Sequence, residues 1–130
     1  DFLDVNEFKD LNFNDQIWLK SIIKICNSKS VKKVIIFSDS NIDSLISFLK
    51  NYKIDVFIAD SSNRKNSSFI ELFVFYLSHA KSVICNASTL VLSISFLYHE
   101  NIYLPSEKED YQIVSLNSAH HSYPSLLNWN

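Results

Sequence analysis

Short β-branched runs that alternate with stretches of helical period predict an α/β fold for this 130-residue chain, a three-layer, mostly parallel, Rossmann-like sheet. Three observations carry that reading. The runs Val34-Ile35-Ile36-Phe37, Val56-Phe57-Ile58-Ala59, Val83-Ile84-Cys85 and Ile102-Tyr103-Leu104 are continuously apolar, as central strands covered on both faces require. The stretches between them have helical spacing, and right-handed crossovers through such helices make neighbouring strands parallel. The chain is 47% hydrophobic, enough for one buried core and too much for disorder.

Each element follows from its own residues. A leading helix at 15–26 carries Ile17, Trp18, Ser21, Ile22 and Ile25 behind a loosely patterned acidic segment, 1–13. Helices at 41–51, 68–80 and 89–99 are marked by Leu45 and Leu49, by Phe73 and Leu77, and by Leu90, Ile94 and Leu97. A weaker strand lies at Gln112-Ile113-Val114. The organisation expected is a leading segment and helix over 1–30, an α/β core over 31–115 and a tail over 116–130.

Composition excludes several functions. There is no glycine, so the chain has no GxGxxG fingerprint, no P-loop and no nucleophile elbow, each of which needs a residue without a Cβ. A net charge of -2 provides no footprint for nucleic acid. No window reaches the ~18 uninterrupted apolar residues of a membrane span, which predicts a soluble domain, cytoplasmic or peripheral to a membrane. Cys26 and Cys85 each follow an apolar run and are expected as buried free thiols in a reducing compartment. With no methionine and no signal-peptide pattern, the sequence is expected to be an internal piece of a longer protein.

In a parallel sheet, ligands sit beyond the carboxyl ends of the strands. That rule selects Asp39-Ser40, the polar loop from Asp60 to Ser67 with Arg64 and Lys65, Asn86-Ala87-Ser88-Thr89, and Pro105-Ser106. These residue types are also preferred helix caps. Ser40 with Asp43 and Ser68 with Glu71 have capping-box spacing, so those two helix ends supply their own carboxylate. The third helix opens Ser88-Thr89-Leu90-Val91-Leu92 without an acid, leaving amides and two hydroxyls for an anion. The same helix is apolar nearly all round and is expected to be covered on more than one side, by the tail or by a second domain.

The succession Ile35-Ile36-Phe37-Ser38-Asp39-Ser40, Glu71 to His79, Val83-Ile84-Cys85-Asn86-Ala87-Ser88-Thr89 and Ile102-Tyr103-Leu104-Pro105 resembles the C-terminal half of the α-1,2-fucosyltransferase-like glycosyltransferases. The resemblance covers about residues 30–106 and rests on two short motifs, Phe-Ser-Asp-Asp and Asn-Ser-Thr or Asn-Ser-Ser. Ser40 replaces the second Asp, Ala87 the first Ser, and Leu90-Val91-Leu92 the Ser-Trp-Trp that follows in the family. The family's His-x-Arg-Arg-like segment, which lies in its N-terminal half, has no counterpart among these residues. The resemblance implies the nucleotide-sugar-binding half of a two-domain, GT-B-like enzyme that transfers a sugar, with GDP-fucose favoured as donor, to a glycan acceptor by an inverting, metal-independent route.

On that reading Asp39, Ser40, Arg64, Asn86, Ser88 and Thr89 bind the donor. The general base belongs to the missing half, this piece alone is inactive, and a missing N-terminal domain packs on the 89–99 helix. No cofactor is called for. The alternative is a non-catalytic α/β binding module whose polar strand ends are only caps. His99-Glu100 lacks the second histidine of HExxH, His120-His121 read as exposed tail residues, and His79 is expected to meet the negative end of its helix.

Overall fold

The computed structural model describes residues 11–38, 40–59 and 69–115. The chain divides into two compact units, Asp1–Phe69 and Ile70–Asn130, a boundary that falls inside the expected 31–115 core. The mixed α/β class is observed, with one parallel and one antiparallel strand pair among the described residues.

In the first unit, helix α1 (Phe13–Lys29) starts at Asn12, whose side-chain oxygen accepts the Asp15 amide at 2.7 Å. Its buried stripe, Leu19, Ile22, Ile23, Ile25 and Cys26, packs with Leu45 and Leu49 of helix α2 (Asp43–Asn51) in the unit's core. Both helices end in the same way. Ser30 (φ 55°) and Lys53 (φ 61°) adopt the left-handed conformation that glycine ordinarily supplies. The amides of Ser30 and Val31 reach back to Asn27 and Cys26, and those of Lys53 and Ile54 to Lys50 and Leu49, so each helix closes in a Schellman motif.

Each closure leads at once into a strand, β1 (Lys33–Ile36) after α1 and β2 (Asp55–Ile58) after α2. The two pair in parallel, Lys33 opposite Asp55 through Ile36 opposite Ile58. The expectation that these strands are covered on both faces is corrected: Ile35, Phe57 and Ile58 are 37%, 52% and 48% exposed. The apolar runs are continuous because Ile35 and Phe57 stand on an open face while Val34, Ile36 and Val56 face inward, half-buried.

Helix α3 (Phe69–His79) starts at the boundary, and in the second unit it and the short helix α4 (Thr89–Ser95) precede strands β3 (Asn101–Ser106) and β4 (Asp110–Ser115). The run Val83-Ile84-Cys85, expected as a strand, makes a single parallel bridge between Ile84 and Tyr103. Two hydrogen bonds hold it, Cys85 N–H to the Tyr103 carbonyl at 3.0 Å and Tyr103 N–H to the Val83 carbonyl at 2.9 Å. β3 and β4 are antiparallel, because the Glu107–Glu109 connection is far too short for the crossover of a dozen or more residues that a parallel pair needs. Asp110 (φ 64°) takes the left-handed position that closes this hairpin. The core consists of Phe73, Leu77, Val83, Cys85, Leu92, Ile102 and Val114. Helix α4 ends four residues earlier than the expected 89–99 span, turning at Phe96–Tyr98. Leu92 and Ser95 are fully buried, whereas Leu90, Leu97 and Tyr98 are exposed.

A left-handed residue with a side chain costs about 1–2 kcal/mol, part of which glycine gives back through the entropy of the unfolded chain. Lys53 is exposed and its motif uses only backbone groups. Lys53→Gly is therefore expected to raise stability by about 0.5–1 kcal/mol, measured by urea unfolding, with an unchanged m-value.

Candidate functional site

Each unit has one polar edge where strands end. In the first, parallel pairing brings the carboxyl ends of β1 and β2 to the same side, tied beyond the strands by the Ala59 amide, 2.9 Å from the Ile36 carbonyl. The chain therefore leaves both strands at one edge, through Phe37 and Ser38 after β1 and through Ala59 after β2. Asp39 and Arg64 lie outside the described residues. Ser40 is exposed, and its amide donates to the Ser38 hydroxyl at 3.1 Å in a local turn.

Ser40 is not the cap of the following helix, which corrects the capping-box expectation. Helix α2 has Ile42 at its N-cap without a side-chain bond, and the Asp43 amide donates to the Asn41 side-chain oxygen at 3.0 Å. An Asx turn one residue later does the work assigned to the serine. Ser68, the other expected box residue, is outside the described residues, while Glu71 stands in the first turn of α3 as anticipated.

The first unit also holds a polar cleft of about 310 Å³ lined by Leu11, Asn12, Asp15, Asn41, Asp43 and Ser44. It brings together the first turns of α1 and α2. Two carboxylates disfavour an anion there, and with two amides and a hydroxyl they match a neutral ligand rich in hydroxyl donors. Sequence reasoning missed this cleft. Its one legible signal is Asn12 three residues before Asp15, a capping spacing.

In the second unit, the bridge sets the end of Val83-Ile84-Cys85 beside β3, so Asn86, Ala87 and Ser88 leave from the side toward which Pro105 and Ser106 run. Asn86 and Ser88 are exposed. Ser88 is the N-cap of α4, as expected, with extended backbone (φ -86°, ψ 132°). Its hydroxyl makes no capping bond, and the first turn contains no acid. Thr89 opens the helix, but its side chain lies outside the described part.

Two histidines have structural partners at the end of α3. The His79 Nδ1 donates to the Phe75 carbonyl at 2.9 Å, in the last turn where its position predicted it, and Ser78 donates to the same oxygen at 2.8 Å. His99, which sequence reasoning had weighed only as a metal ligand, donates from Nε2 to the Leu77 carbonyl at 2.9 Å. Among the described residues no group of three or more His, Cys, Asp and Glu is arranged to hold a metal ion; His120 and His121 are outside them. Cys26 and Cys85 are buried free thiols, as expected. Loss of solvation pushes both upward, Cys85 to about 12, which removes them as nucleophiles near neutral pH.

No family model, curated protein or solved structure matches this chain. Among the described residues no helix is long and apolar enough to cross a membrane. The six candidate residues are thus distributed: Ser40 at the edge of the first unit, Asn86, Ser88 and Thr89 at that of the second, and Asp39 and Arg64 outside the described residues.

Two outcomes test these environments. His99→Ala should cost about 0.5–1.5 kcal/mol by removing the donor to Leu77, and His99→Gln should recover part of it. The Cys85 thiol ionises at 9.0 when unperturbed and at about 12 when folded. Below the first value both states hold the proton; between the two only the folded state does. Stability should therefore fall as pH rises through that window, by at most about 1.4 kcal/mol per pH unit, and the difference between wild type and Cys85→Ala should isolate this slope.

Proposed function

We propose that this chain is the nucleotide-sugar-binding half of a two-domain, GT-B-like glycosyltransferase. The finer architecture in this reading is a three-layer, Rossmann-like half-enzyme whose partner half is an N-terminal domain. The observation that supports it best is the parallel β1–β2 pair, whose carboxyl ends, followed by Phe37 and Ala59, lie at one edge. This is the strand-end placement that nucleotide sites use in α/β sheets. The fucosyltransferase-like motifs add the sequence part of the argument.

In this assignment Ser88, Thr89 and the first amides of α4 neutralise charge that develops on the leaving nucleoside diphosphate, a GDP-sugar being favoured. Arg64 adds a charge-assisted contact, and Asp39 accepts from the base or ribose. The cleft beside Asn41, within the first unit, is lined by groups that accept from the hydroxyls of a neutral ligand. The glycan acceptor and the general base are assigned to the other half. That half packs on α4, where Leu90, Leu97 and Tyr98 are exposed at 51%, 74% and 44%.

One observation favours the rival reading of a non-catalytic α/β module: the first-turn amide of Asp43 in α2 is already satisfied by Asn41, so that strand end needs no ligand. The two readings differ in calorimetry. Titration with GDP, UDP and CDP should give at least millimolar binding to one of them if the enzyme reading holds, and no heat with any favours the module. Thermal melts then localise the site. Ser88→Ala should reduce the nucleotide-induced shift in Tm by more than its effect on the free protein, and an equal shift in both proteins returns Ser88 to a capping role.

A further inference from the structure

The open face of the β1–β2 pair carries two rows of side chains. Lys33 and Asp55 are level with each other across the two strands, and Ile35 and Phe57 form the next row on that face. All four are exposed, and the Lys33 ammonium stands 5.5 Å from the centroid of the Phe57 ring, which places the two rows side by side. Parallel strands are almost always covered on both faces, so an apolar row left open beside a charged one is a surface with an occupant to find.

The charged row selects that occupant. It has a cation on one strand and an anion on the other at the same level. A two-fold axis parallel to the strands, midway between two such faces, sets Lys33 of each copy against Asp55 of the other and Ile35 of each against Phe57 of the other. The face is complementary to itself in both rows, which a partner of uniform charge is not. We propose that a second copy of this chain packs here, sheet face to sheet face, in an isologous dimer. Aligned sheets stack about 10 Å apart, a spacing that the Phe57 ring and Ile35 fill from both sides. Four side chains on each face make a small contact beside the about 800 Å² per partner of a stable interface, so the dimer is a weak, reversible one. This inference is independent of the nucleotide-sugar reading.

Sedimentation equilibrium on the full chain tests it over about 20 μM to 1 mM, the range where so small an interface is partly formed. The wild type should gain mass with concentration, and Phe57→Ser should weaken association at least about fivefold. Lys33→Asp and Asp55→Lys, each confirmed as folded by circular dichroism, should each remain monomeric because like charges then face one another. A 1:1 mixture of those two variants should associate at least as well as the wild type, since each face now meets its opposite. Rescue between different chains cannot arise from an effect within one sheet. Should either charge reversal unfold the chain, Lys33→Gln and Asp55→Asn take its place, each expected to weaken association. A wild type that stays monomeric throughout overturns the proposal. So do association that survives the single charge changes and a mixture that stays monomeric while the wild type dimerises.

Discussion

The first unit depends on how a chain without glycine stops its helices. Ser30 and Lys53 accept a left-handed backbone, at about 1–2 kcal/mol each, and in return four carbonyls at the ends of α1 and α2 are satisfied by the amides that follow. The same turns set the direction in which the chain leaves. Val31 and Ile54 follow the turns directly, and Ile54 is buried beside the element it has just ended. The Asp55 amide then reaches the Lys32 carbonyl at 2.7 Å, which fixes the first rung of the parallel ladder. Register, the shared carboxyl edge and the open face with its paired rows all follow from these two closures.

The second unit joins its antiparallel β3–β4 pair to hydrogen bonds on main-chain carbonyls. The last turn of α3 presents oxygens that Ser78, His79 and His99 satisfy, so the residues after α4 are tied back to the end of the preceding helix. Among the described residues its interior includes an exception, the buried Ser95 hydroxyl, which has no hydrogen-bond partner. A group of that kind costs free energy without specifying a contact, and nothing in the packing of α4 explains it.

The helices and the first two strands were legible because periodicity and β-branching are properties of the segments themselves. The run Val83-Ile84-Cys85 reads as a strand but makes only one bridge, since a ladder needs a partner over its full length and the sequence of one run contains no information about the other. Gln112-Ile113-Val114 is visible as a strand, and its antiparallel pairing, against the parallel sheet expected, follows from the three-residue connection before it. At the candidate site the contrast lies between Ser40 and Asn41. Both are good capping residues, and spacing to Asp43 pointed to the serine, whereas backbone geometry gave the bond to the asparagine. His99 escaped notice because its partner is a main-chain carbonyl 22 residues away, which no motif encodes.

Cys26 lies in the core of the first unit and Cys85 in that of the second. Each thiol is silent while its own surroundings stay closed and becomes available only when that unit opens. The chain thus contains two internal clocks, one per unit, and the ratio of their rates under a slow alkylating reagent measures whether the halves open together or one at a time. Cooperativity between the units is in this way written into the chemistry of two side chains that take part in neither polar edge.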